Sequence, residues 1–339
     1  MKMFLSALVT GSAVLFSHCA TAQFTNVDSV DNRDFQAWKA QVEQMLREHE
    51  ARLLDLEPVQ TAQASPSRPV SNPGSIQWGW HGGRENNGVG FDERLRAAAE
   101  LGCTWIRFTG PLSFIIERGE RNWQFLDRPL ALAEELGLNV FLTVRLGRNQ
   151  STTLDTSLLR KAVSRYASVE VWQFGNEISN DRFWPRSKRD YVDFLNAGYN
   201  VVSPSARVAM AGAPSMSFGA EAFYDDILSM GPRFDIFDDH LPPNRTGPEA
   251  VAGEVAKVRA LLNKHGYKDV PIWSTEFLPL GPASGNVASN FRKYVEAVKR
   301  TEVTHVFVRG DERPWQLLSG PGQKTSTYNE YKSLIGSSR

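Results

Sequence analysis

Eight short β-rich runs, each followed by a polar loop and a helical stretch, predict a (β/α)8 barrel (TIM barrel) over residues 75 to 339. Three observations carry this expectation. The β-rich runs and helical stretches alternate strictly, the span is close to the roughly 250 residues typical of such a barrel, and several helical stretches end in glycine, as a left-handed C-terminal cap requires. A doubly wound open sheet alternates in the same way but usually announces itself with a glycine-rich first turn. Here "HGGRENNGVG" lacks the dinucleotide spacing, and "SGPGQKTST" places Gln323 where a P-loop needs glycine.

In chain order the strand runs are "SIQWGW", "TWIRFTG", "NVFLTVR", "VEVWQFG", "ARVAMAG", "FDIFDDH", "VPIWSTE" and "THVFVRG". All but "ARVAMAG" are rich in β-branched and aromatic residues, which suit a pleated wall buried on both faces. The helical stretches between them are "FDERLRAAAELG", "LDRPLALAEELG", "LLRKAVSRYA", "RDYVDFLNAGYNVV", "EAFYDDILSMG", "EAVAGEVAKVRALLNKHG" and "NFRKYVEAVKR", with "YNEYKSLIG" after the last strand.

Upstream of the barrel, residues 1 to 22 read as a secretory signal: Lys2, an apolar run from Phe4 to Phe16, and the small-residue site Ala20-Thr21-Ala22. Cleavage near Ala22 would give a secreted or periplasmic protein, and the run is too short, with these flanks, to span a membrane. A lipoprotein anchor at Cys19 fits poorly behind Ser17 and His18. Within residues 23 to 57, Phe35, Trp38, Val42, Met45, His49 and Leu56 approximate a heptad seam. That pattern suits an amphipathic helix lying on the barrel, or a short coiled coil making a homo-oligomer through residues 31 to 57. Pro58 ends it, and residues 58 to 74 form a Pro/Ser/Gln-rich linker.

Lys and Arg number 38, as do Asp and Glu, which argues against a general nucleic-acid or membrane-surface role. Loss of the signal leaves Cys103 alone, so no intrachain disulfide forms; inside "LGCTWIRF" it reads as a small core residue.

Chemistry in a parallel barrel gathers at the C-terminal strand ends. Those ends offer His81, Arg107, Arg145, Asn176 with Glu177, Ala213, Asp239 with His240, Glu276, and Arg309 with Asp311 and Glu312. A lone strand-end glutamate would be read first as a helix cap or an arginine partner. Two of them, Glu177 after strand four and Glu276 after strand seven, match the needs of glycoside hydrolysis. One carboxylic acid protonates the leaving oxygen; the other attacks the anomeric carbon or activates water, and a separation of about 5 Å predicts retention.

The motif "WQFGNEIS" resembles the strand-four Asn-Glu motif of the clan A glycoside hydrolases (families 5 and 39), and "PIWSTEF" resembles their strand-seven nucleophile motif. "WIRF" is similar to their arginine strand and "FDIFDDHLP" to their strand-six segment; by order and spacing the resemblance spans roughly residues 75 to 335. It implies Glu276 as nucleophile, Glu177 as acid/base and Asn176 on the sugar 2-hydroxyl. It also implies Arg107 beside Glu276, keeping it ionised while a less compensated Glu177 keeps a raised pKa. His240 matches the strand-six histidine. Pro242 stands where many members carry the tyrosine that orients the nucleophile, and Arg145 is unusual for strand three, so a divergent member is expected.

Trp80, Trp184, Phe218 and Trp315 are candidate sugar platforms near the rim, Trp184 foremost because it sits in the polar loop "ISNDRFWPRSK". Arginines crowd the same loops, which suits either a salt-bridged rim or an anionic polysaccharide. "DDH" at 238 to 240 has no second histidine at a ligand spacing, and no GxSxG elbow occurs, so neither a metal, another cofactor nor a serine nucleophile is expected. The sequence thus points to an exported retaining β-glycoside hydrolase acting on an oligo- or polysaccharide, endo-acting on a bacterial exopolysaccharide in its most specific form. The alternative is an inactive carbohydrate-binding or exopolysaccharide-assembly protein on the same barrel.

Overall fold

The computed structural model describes residues 76–82, 89–109, 114–147, 153–216, 219–241, 247–277, 287–310 and 316–336. The expected signal, N-terminal helix and linker lie outside the described residues. Strands and helices alternate as β1 (Gln77–His81), α1 (Phe91–Leu101), β2 (Trp105–Phe108), α2 (Gln124–Glu135), β3 (Asn139–Val144), α3 (Thr156–Arg165), β4 (Val169–Phe174) and α4 (Lys188–Val202). They continue as β5 (Arg207–Met210), α5 (Glu221–Ser229), β6 (Phe237–Asp238), α6 (Ala250–Lys264), β7 (Ile272–Phe277), α7 (Val287–Val298) and β8 (His305–Arg309). A short hairpin, β9 (Leu318–Gly320) and β10 (Gln323–Lys324), leads into α8 (Ser326–Gly336).

The eight-stranded sheet is parallel and runs β5-β4-β3-β2-β1-β8-β7-β6. Met210 N–H donates to the Ile236 carbonyl at 3.0 Å and Ala213 N–H to that of Asp238 at 2.9 Å, so β5 meets β6 and the sheet closes. This is the (β/α)8 barrel expected from the alternation. No helix among the described residues is long and apolar enough to cross a membrane.

Strand periodicity sorts side chains onto two faces. Outward residues such as Trp78, Trp80, Leu142, Trp172 and Phe174 join the helices in one large core. Inward residues Trp105, Phe141, Val171, Ala209, Ile236, Trp273 and Phe307 form a second cluster inside the barrel. β1 contributes Gly79 to that ring, and a Cβ there would stand 2.6 Å from the Phe307 ring. Gly79→Ala is therefore expected to lower the urea unfolding midpoint with an unchanged m value, costing about 1–3 kcal/mol by overpacking. An unaltered midpoint would mean that the ring has slack.

Candidate active site

Above the apolar ring the barrel turns polar. Two residues on from the ring positions, along the same strands, lie His81, Arg107, Thr143, Gln173, Asp238, Thr275 and Arg309. Arg107 is fully buried and organises this tier. Its Nε donates to Thr143 Oγ1 at 3.3 Å, Nη2 to Gln173 Oε1 at 2.6 Å and Asn176 Oδ1 at 2.7 Å, and Nη1 to Glu276 Oε1 at 2.7 Å and the Thr275 carbonyl at 3.3 Å. A planar five-donor fork is the one side chain suited to so many acceptors from three strands and their ends.

Glu276 stands at the end of β7, past a register shift between Ser274 and Phe277, with its side chain only 10% exposed. His81 Nε2 lies 3.3 Å and His240 Nε2 3.9 Å from its Oε1, and Arg309 Nη1 lies 3.5 Å from its Oε2. Burial alone would raise its carboxyl, but the positive charges of His240, His81 and Arg107 outweigh that and hold it well below the usual carboxylate range. It is thus an anion with an approach left for an electrophile.

Glu177 follows β4 through the turn Gly175-Asn176-Glu177. Its backbone is left-handed, with φ 46°, and its N–H donates to the Gly212 carbonyl at 2.8 Å. A non-glycine residue in that region stores strain, of the kind that clusters at functional sites. The Glu177 side chain is 23% exposed, and its Oε1 is 3.1 Å from His240 Nδ1. Asn176, beside it, has its Oδ1 occupied by Arg107, which leaves the amide hydrogens as its donors.

His240 sits between the two glutamates. Burial opposes its charge, yet Glu276, Asp238 and Glu177 together raise its pKa to about 10, so it is an imidazolium near neutrality. Its Nε2 is 3.4 Å from Asp238 Oδ2. Room for the pair comes from Gly212, where a Cβ would lie 2.1 Å from His240 Nε2 and 2.6 Å from Asp238 Oδ2. One oxygen each of Glu177 and Glu276 and a ring nitrogen of His240 lie within 4.8 Å of one another. That trio could offer three metal ligands by position, once His240 gives up the proton that its carboxylate neighbours favour.

Other expected site residues sit differently. Trp80 faces outward, 2% exposed, because it shares the strand parity of Trp78 rather than that of His81; it cannot stack on a sugar in the barrel mouth. Trp184 is also buried, at 3%: the loop folds back, its Nε1 donates to the Ser187 carbonyl at 3.1 Å, and its ring packs on Tyr191 and Phe194. Both are core residues, correcting the expectation of sugar platforms. Arg145, half-buried, lies between the rings of Phe114 and Phe183, 5.0 and 4.7 Å from their centroids. Asp239 points away from the mouth into a fully buried setting, where burial and nearby Glu254 hold its carboxyl well above the usual range. Trp315, Phe218 and Pro242 lie outside the described residues.

His81 and Arg309 were legible as strand ends without a role, and Asp238 only as part of a metal-like motif. Nothing in the local sequence marks Thr143, Gln173, Thr275 or Gly212. Counting two residues onward from each inward apolar position would have found the tier, though not the glycine.

No protein-family model matches the chain, and no curated protein matches its sequence. Solved structures do match in fold. A glucosidase from Croceicoccus marinus superposes with TM-score 0.61 at 14% identity, covering 80% of this chain and 69% of that one. A family 39 glycoside hydrolase from the gut symbiont Bacteroides cellulosilyticus gives 0.56 at 16% identity, over 78% of this chain; the chain spans 64% of that protein's length. A family 128 (subgroup II) endo-β-1,3-glucanase from Pseudomonas viridiflava gives 0.52 at 12% identity, over 76% of this chain and 98% of that one. At such identities the likeness is one of architecture: the chain is a (β/α)8 barrel of the form these glycoside hydrolases carry, with little sequence in common.

Proposed function

We propose that the protein is an exported retaining β-glycoside hydrolase acting on a polysaccharide. The observation that carries the reading is the pair of rim carboxylates, with oxygens within 4.8 Å, one of them held ionised. Retaining glycosidases place their two carboxyl groups about 5–5.5 Å apart, whereas inverting ones need about 6.5–9.5 Å to admit a water. Barrels of glucosidase and endo-β-1,3-glucanase neighbours support the same reaction class. Export rests on the signal-like residues 1 to 22.

In this mechanism Glu276 attacks the anomeric carbon as the glycosidic bond breaks, and Glu177 gives its proton to the departing oxygen. Glu177, now a carboxylate, takes a proton from water as that water attacks the anomeric carbon and releases Glu276. The Asn176 amide donates to the sugar 2-hydroxyl, where charge change in the transition state strengthens the bond.

The test is incubation of the purified protein with β-glucans and bacterial exopolysaccharides, with product sizing and NMR of the first-formed anomer. Release of β-anomeric oligosaccharides of intermediate size is expected. First-formed α anomer would overturn retention, and tight glycan binding with no cleavage would favour the carbohydrate-binding alternative.

A further inference from the structure

We propose that Asp238 is a positioning residue that fixes His240 as a two-sided hydrogen donor, so that the proton of Glu177 is confined to its Oε2 and aimed at the leaving oxygen. This rests on the acid/base role given to Glu177 above.

Asp238 is fully buried and anchored on both oxygens. Gln173 Nε2 donates to its Oδ2 at 2.7 Å, Thr275 N–H to its Oδ1 at 2.9 Å, and the Thr275 hydroxyl also donates to Oδ2. So placed, it can only accept, and it meets the Nε2 side of His240 as an ion pair at 3.4 Å. At that distance the contact is one of charge, since His240 Nε2 has no hydrogen-bond partner among the described residues, and the charged ring it favours carries N–H at Nδ1 as well as at Nε2. Nδ1 faces Glu177 Oε1 at 3.1 Å, so that oxygen accepts, and the carbonyl oxygen being the better acceptor, the acid proton is favoured on Oε2. A neutral His240 could instead accept from Glu177 at Nδ1 and turn the proton away from substrate.

Every wall around His240 contributes to this. β7 supplies Glu276 at 3.9 Å, itself held by Arg107 of β2, His81 of β1 and Arg309 of β8. α5 supplies Tyr224, whose hydroxyl donates to the Gly212 carbonyl at 3.1 Å. Asp239, next in the chain, is buried but turned from the ring, and neither of its oxygens has a hydrogen-bond partner among the described residues.

The experiment compares the full chain with Asp238→Asn and, as a milder variant that keeps the carboxylate, Thr275→Val. Nitrogen-15 NMR of the histidine rings from pH 5 to 9 should show His240 protonated on both nitrogens throughout in the wild type, and titrating within that range in Asp238→Asn. With an unactivated glycan, Asp238→Asn should lose about 10- to 100-fold in kcat, part of the 10²–10⁴ that a positioned acid supplies, with KM little changed. With an aryl glycoside whose leaving group needs no proton, the loss should shrink to a few-fold. Thr275→Val should shift both readouts in the same direction by less.

A wild-type His240 that titrates between pH 5 and 8 would overturn the proposal, as would equal slowing of both substrates. Should Asp238→Asn fail to fold, the wild-type titration and Thr275→Val decide. If the wild type cleaves no glycan, the hydrolase reading falls while the NMR result still judges the Asp238–His240 pair.

Discussion

Glu276→Gln is expected to reduce turnover by about 10⁴-fold or more, since loss of a catalytic nucleophile removes the covalent route itself. The substitution is nearly isosteric, and the amide oxygen can still accept from Arg107 Nη1, now 2.7 Å from the carboxylate. It removes the anion that attacks the anomeric carbon in the proposed mechanism. It also leaves Arg107, His81, His240 and Arg309 around a neutral group, so a modest fall in stability should accompany the loss. Glycan affinity should survive, separating a chemical defect from a binding one. A variant retaining more than a tenth of wild-type kcat on an unactivated polymer would remove Glu276 from the role given to it.

Arg107→Met is expected to be the most damaging single change to stability within the polar tier. Arg107 is fully buried and donates to Thr143, Gln173, Asn176, Glu276 and the Thr275 carbonyl. Methionine matches much of its length but strands those acceptors and leaves Glu276 without its shortest partner. Removing one member of a buried ion pair costs about 3–5 kcal/mol. Lysine would not rescue it, having one ammonium in place of a planar fork. The cost should depend on pH. The Glu276 carboxyl is depressed in the folded state, so it stabilises the fold above its unfolded pKa, near 4.5, and that stabilisation is lost as pH falls through the folded value. Urea denaturation should therefore show a wild-type-to-variant gap that is widest at neutral pH and narrows below about pH 4. A gap that is small or independent of pH would mean that Arg107 is not the counter-charge of Glu276.

The barrel was legible because its signal is redundant. The strand runs repeat the β-rich wall pattern, and the alternation with helices is unbroken from β1 to β8. Glu177 and Glu276 were legible because a carboxylate at the end of an apolar strand is costly unless used, and two such ends on one rim imply a shared purpose. Two of the expected aromatic platforms, Trp80 and Trp184, are core residues instead. Trp80 lies one residue from inward-facing His81, so parity alone would have turned it outward; Trp184 was judged by the polarity of its loop, and the fold-back of that loop onto α4 is a tertiary event. The Asp238–His240 pair was hidden for another reason. Its geometry needs the missing side chain of Gly212, just past the end of β5, and nothing local to "DDH" signals that space.

In the proposed mechanism Glu276 is oriented by the same tier. Glu276 is held by Arg107, His81, His240 and Arg309, drawn from β2, β1, the end of β6 and β8. Three of the four are positions that a barrel brings together from separate strands, so their joint action is invisible to any local motif.

Covalent trapping bears most directly on the central claim. A 2-deoxy-2-fluoro glycosyl fluoride, matched to the sugar released from the cleaved polymer, should inactivate the wild type with one adduct per chain, on the peptide that contains Glu276. Glu276→Gln should remain unlabelled. An adduct on Glu177, or continued cleavage of polymer without any adduct on Glu276, would contradict double displacement through Glu276.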